Sequence, residues 1–143
     1  MATQIIILAA GKGKRMNVET PKVLVPFHGK PMIDYLLEAS QHSGIKTKPI
    51  IVVGYKKEDV MSHVGDQATY VTQEEQFGTG HAVKVAEESI PDSIEHVLVL
   101  YGDAPAVTGA MIANLVAVHS KSDCSLTMAT VTVPSFDDWH QVF

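Results

Sequence analysis

The sequence has one cysteine, Cys124, so it cannot form an internal disulfide. Cys124 sits in an apolar run and reads as a small buried hydrophobe, not a nucleophile. No apolar stretch approaches the roughly 20 residues that span a bilayer. The short apolar run near the N-terminus is interrupted by Lys12, which is unlike a signal peptide, so the expected location is cytoplasmic. Nor is there an excess of positive charge. A formal net charge of -5 argues against a general nucleic-acid binder, whose affinity comes from neutralising phosphates. The seven histidines show no paired spacing suited to zinc, and no serine stands in a nucleophile elbow. Internal repeats and low-complexity segments are absent too.

What remains is an ordinary globular chain. Its 143 residues suit one domain with a sizeable core, and a hydrophobic content of 45% argues against disorder. Against the acidic background, basic residues gather locally after the first apolar run. Ile5, Ile6, Ile7 and Leu8 read as a buried strand, and they empty into Ala9, Ala10, Gly11, Lys12, Gly13, Lys14, Arg15 and Met16. Two glycines among small residues allow successive backbone N–H groups to converge on one point, a concavity that attracts anions. Lys12, Lys14 and Arg15 add three cations, with Lys22 following beside Pro21, so a triphosphate is a natural guest. The loop is not a dinucleotide fingerprint, because Met16 stands where a third small residue is wanted. The next apolar strand also runs out at Gly54 and Tyr55 without the acidic residue of that fingerprint. No Gly-Lys-Ser/Thr triplet makes it a P-loop.

Further along, Val23 to Phe27 reads as a short extended piece closed by a turn at His28, Gly29 and Lys30. Pro31 opens a helix whose apolar face includes Ile33, Leu36 and Leu37, and Gly44 stops it. Pro49 to Val53 is a second strand, Lys57 to Val64 a short helix ended by Gly65, and Ala68 to Thr72 a third strand. Thr79 or a neighbour caps a helix with Ala82, Val83, Ala86 and Ile90 on one face. Val97 to Leu100 is a fourth strand, Thr108 caps a helix through His119, and Cys124 to Val133 reads as a long fifth strand. Such alternation implies an α/β fold with right-handed crossovers and a mostly parallel sheet. Ligands gather at the carboxyl ends of its strands, where Ala9 to Met16, Gln73 to Thr79 and Tyr101 to Pro105 would all lie.

Each of these loops has its own chemistry. Asp103 ends an apolar strand, where a lone carboxylate is costly to desolvate, and a magnesium ion completed by substrate phosphates would offset that cost. Taken alone, a Gly-Asp turn is more simply a cap; a phosphate loop on the same rim favours the metal. Gln73 offers one acceptor and two donors to the edge of a pyrimidine, and Gly78 lets backbone approach a flat ring.

Together, Leu8 through Met16, Pro21-Lys22-Val23-Leu24, Gln73, Gly78-Thr79-Gly80-His81-Ala82 and Tyr101-Gly102-Asp103-Ala104-Pro105 resemble the sugar-phosphate nucleotidyltransferases. The likeness is strongest to bacterial uridylyltransferase domains acting on N-acetylglucosamine 1-phosphate. It implies a three-layer Rossmann-like, GT-A-like fold. It also implies transfer of UMP from UTP to the sugar phosphate with release of pyrophosphate, giving UDP-N-acetylglucosamine, a cell-wall precursor. By that resemblance Leu8, Ala9, Ala10 and Gly11 contact the nucleotide through backbone, beside Gly13, while Arg15 and Lys22 meet phosphates. Gln73, Gly78 and Thr79 hold the uracil, Tyr101 and Gly102 line the site, and Asp103 binds Mg2+. The catalytic set is then Arg15, Lys22 and Asp103.

Catalytic domains of this family continue well beyond the length seen here. Residues 1–143 are therefore expected to be the N-terminal part of one such domain, weakly active or inactive alone, with self-association through an incomplete sheet. A cytidylyl- or guanylyltransferase, or a non-catalytic regulatory domain of the same fold, are the alternatives the motifs leave open.

Overall fold

The computed structural model describes residues 2–13 and 19–132. The first strand, β1 (Thr3–Ala9), is buried on both faces, as its run of β-branched side chains requires. A 3-10 turn at Lys22–Leu24 leads to a two-stranded hairpin of β2 (Pro26–Phe27) and β3 (Lys30–Pro31). Its turn residues, His28 and Gly29, both take positive φ, 48° and 83°. The single extended piece expected over Val23 to Phe27 is thus divided. Lys22 and Val23 are drawn into a turn whose apolar residue, Val23, is buried.

Pro31 precedes α1 (Met32–His42), which ends before Gly44 at φ 82°. Then come β4 (Ile50–Val53), α2 (Lys57–Val64), β5 (Thr69–Thr72) and α3 (Thr79–Val85). The last two elements are β6 (His96–Tyr101) and α4 (Gly109–His119). Thr108 caps α4 as expected, its hydroxyl accepting from Met111 N–H at 3.2 Å.

The main sheet has the order β5-β4-β1-β6, and every ladder is parallel. The chain steps outward from β1 through β4 to β5, then crosses back over both to β6. Right-handed crossovers therefore place α1 and α2 on one face and α3 on the other. The cores show this division. Ile5, Ile7 and Ala9 pack with Ile33, Leu36, Val60, Val64 and Ile112 on one side. Ile6 and Ala10 pack with Val52, Ala82 and Ala86 on the other. The result is a three-layer, Rossmann-like α/β arrangement with a mostly parallel sheet.

Two expectations fail at the C-terminal side. The described part of the expected fifth strand, Cys124 to Thr132, forms no strand. An extended segment is stable only with a ladder partner and a covered face, and Leu126, Met128 and Val131 remain 78%, 73% and 71% exposed. Val133 lies outside the described residues. Cys124 is exposed, not buried, because that segment contributes nothing to the core. No helix among the described residues is long and apolar enough to cross a membrane.

These burials predict a sharp contrast in stability. Ile6→Ala, at a fully buried position, should cost about 2–5 kcal/mol in urea unfolding. Leu126→Ala should leave the midpoint nearly unchanged.

Candidate functional site

The neighbours of β1 are reached in opposite directions along the chain, so the sheet has its topological switch point between β1 and β6. At their carboxyl ends lies an open cavity of about 350 Å3. Leu8, Ala9, Ala10, Gly11, Gly13, Lys22, Gln73, Gly78, Thr79, Tyr101 and Asp103 all line it. The structure thus brings together three loops spaced across some 90 residues. Arg15 lies outside the described residues.

Close backbone contacts fix the rim. The Gly102 N–H donates to the Leu8 carbonyl at 2.9 Å. A Cβ on Gly102 would stand 2.7 Å from that carbonyl oxygen and 2.6 Å from a methyl of Val23. Gly102 is therefore packed tightly between Leu8 and Val23, and Tyr101 and Asp103 on either side of it line the cavity. Gly13 has φ 61°, and a Cβ there would touch the Lys22 side chain at 3.0 Å. On the far side, the Ala10 carbonyl accepts from Tyr55 N–H at 3.2 Å and from the Gln76 amide at 2.7 Å. Gln76 ties the loop after β1 to the loop after β5 and also lines the cavity.

Across the first end of the cavity, the Lys22 ammonium forms a salt bridge with Asp103 Oδ2. Their side chains are 38% and 33% exposed. Water screens such a pair, so its net contribution is small and either partner can be exchanged. At the other end, Gln73 is buried, 4% exposed. Its Nε2 donates to the Gly78 carbonyl at 3.2 Å and meets His81 Nδ1 at 2.9 Å. The Phe77 and His81 rings pack edge to face, centroids 5.2 Å apart.

A family model for the MobA-like NTP transferase domain matches residues 5–142. The chain belongs to this family. A relative called bifunctional protein GlmU, from Heliobacterium modesticaldum, is 43% identical over 128 residues, covering 90% of this chain and 28% of the relative. A protein of the same name from Acetivibrio thermocellus is 36% identical over 137 residues, covering 96% of this chain and 30% of its own length. The chain therefore spans less than a third of these two relatives. Among solved structures, Rv0371c of Mycobacterium tuberculosis in complex with manganese superposes with a TM-score of 0.70 at 19% identity. That match covers 86% of this chain and 62% of the other, and at this identity it speaks for the fold.

In this NTP transferase domain, Asp103 fits one role in metal binding. Its carboxylate is a hard oxygen donor on the cavity wall, and among the described residues no cluster of three or more His, Cys, Asp or Glu side chains could enclose an ion. A divalent cation held by this single carboxylate would take its remaining oxygens from phosphate and water. Two residues of the site were passed over by sequence reasoning. Gln76 stands within the Gln73 to Thr79 loop without a role of its own, and His81 stands only as part of the Gly78-Thr79-Gly80-His81-Ala82 motif. Proximity to Gly78 is the sequence signal of Gln76, and membership of that motif is the signal of His81.

The packing at Gly102 yields a test. Gly102→Ala forces a methyl against backbone and Val23, so thermal unfolding should show a loss of about 1–3 kcal/mol. Nucleotide affinity should fall with it, because the displaced groups are the cavity floor.

Proposed function

We propose that this cavity seats UTP with a magnesium ion, for transfer of UMP to N-acetylglucosamine 1-phosphate with release of pyrophosphate. Residues 1–143 act in this reading within one catalytic domain. The observation that carries it is a single cavity with an ammonium–carboxylate pair at one end and a buried amide at the other. Triphosphate lies along the Gly11 to Gly13 loop toward Lys22, and the base lies toward Gln73, Gly78 and Thr79. The motif set resembling uridylyltransferases favours UTP among nucleotides, and the Asp103 carboxylate on the cavity wall favours a divalent cation beside its phosphates.

The chemistry brings two anions together. A sugar-phosphate oxygen attacks the α-phosphorus, forming one P–O bond as the α–β bridge breaks and pyrophosphate leaves. Lys22 leaves Asp103 for the phosphates and offsets the repulsion between the reactants. Asp103, so released, holds magnesium, which when bound supplies positive charge to the reacting phosphates. Arg15 is proposed to meet the same phosphates. Tyr101 borders the cavity on the β6 side.

Calorimetric titration with UTP tests this directly. Binding should strengthen on addition of Mg2+, and Asp103→Asn should abolish that dependence. Charge-assisted hydrogen bonds contribute about 1.5–3 kcal/mol, so Lys22→Met should weaken UTP about tenfold to a hundredfold. Unchanged affinity in both variants, with folding preserved by circular dichroism, would overturn the assignment.

A further inference from the structure

The Gln73 side chain reaches the cavity with its hydrogen-bonding polarity already decided. The Gly78 carbonyl can only accept, so the amide group facing it at 3.2 Å must be the NH2. The second N–H of that group points to His81 Nδ1 at 2.9 Å, which must then be a bare acceptor nitrogen. Both amide donors are consumed inside the protein. Oε1 accepts from no described residue, although the side chain is only 4% exposed and lines the cavity. What the buried glutamine shows a ligand is an acceptor.

We propose that His81 is a positioning residue for base selection. Its bare Nδ1, with the Gly78 carbonyl, holds Gln73 so that Oε1 receives the N3–H of uracil or thymine and repels the unprotonated N3 of cytosine. This rests on the reading of the cavity as a nucleotide site. On its pairing edge uracil presents N3–H beside a carbonyl. In cytosine both groups on that edge are inverted, with a bare nitrogen beside an amine. Were His81 to present a donor instead, the amide would have to turn, leaving the Gly78 carbonyl without its N–H and offering the base an NH2.

The edge-to-face contact with Phe77 steadies the imidazole plane. His81 touches neither phosphate nor reacting atoms in this arrangement. Its effect should therefore appear in the choice between bases and not in metal dependence.

The experiment compares UTP and CTP by calorimetry, with Mg2+ present, for the wild type, His81→Leu and His81→Asn. The wild type should prefer UTP. His81→Leu, which removes the acceptor, should reduce the UTP-to-CTP preference about tenfold, the loss of roughly one hydrogen bond. His81→Asn should restore most of it, because Oδ1 takes the place of Nδ1. An unchanged preference in His81→Leu overturns the proposal. Imidazole 15N spectra of the wild type give a second test that needs no variant to fold: His81 should be the neutral Nε2–H tautomer, and an Nδ1–H tautomer overturns the proposal. A wild type that binds UTP and CTP equally defeats base selection and leaves the triphosphate site standing. One that binds neither removes the nucleotide reading as well.

Discussion

The absence of a side chain at Gly102 determines how the two central strands can end. Its N–H reaches the Leu8 carbonyl at 2.9 Å, where a Cβ would clash with that oxygen and with Val23. β1 and β6 consequently finish at the same height and their loops leave side by side. Asp103, one residue later, is delivered beside the turn that carries Lys22 and Val23. A bulkier residue would have to push one strand end away from the other, and the floor of the cavity would open. The carboxylate and the ammonium face each other because the backbone beneath them has been drawn tight.

That ion pair changes how the charge of the site should be understood. Asp103 is two-thirds withdrawn from water, which is costly for a carboxylate unless something offsets its charge, and in the free protein Lys22 does so. Each partner is also what a magnesium nucleotide needs: a cation for phosphate, an oxygen for metal. Because both groups are about one-third exposed, the pair is worth little in water and exchanging it costs little. A deeply buried pair would resist separation, since either ion left alone would lose several kcal/mol of solvation. Partial exposure is thus a condition for the proposed chemistry.

The scaffold was legible because its signals are local. The run Ile5 to Leu8 could only be a buried strand, Gly44 and Gly65 end their helices at positive φ, and Thr108 caps as its chemistry dictates. Strand–helix alternation then placed three loops on one rim before any contact was known. The described part of the Cys124 to Val133 segment, through Thr132, shows where such reasoning stops. An apolar stretch specifies a strand only when another strand is there to receive it, and its sequence carries no record of that neighbour. The same limit applies to Gln76, whose contact with Ala10 spans 66 positions. It applies equally to Gln73, read as a group with donors and an acceptor until Gly78 and His81 were seen to use the donors.

The width of a helix explains why the cavity is open on one side. A helix with its side chains is about 10 Å across, enough to cover about two strands spaced about 4.8 Å apart. On its face of the sheet α3 packs on β1 and β4, burying Ile6 and Val52. β6 lies beyond its reach there, so Val97, Val99 and Tyr101 are 44%, 36% and 55% exposed while Leu98 and Leu100 on the opposite face are buried. The cavity therefore has a wall at Ala82 and Thr79 and an open flank along Tyr101. In the proposed reading, a base held against the wall by Gln73 directs its phosphates toward Lys22 and leaves the flank beside Tyr101 as the approach for a second substrate. In-line attack requires the nucleophile and the leaving group on opposite sides of phosphorus, and a cavity closed on one side and open on the other is suited to that geometry.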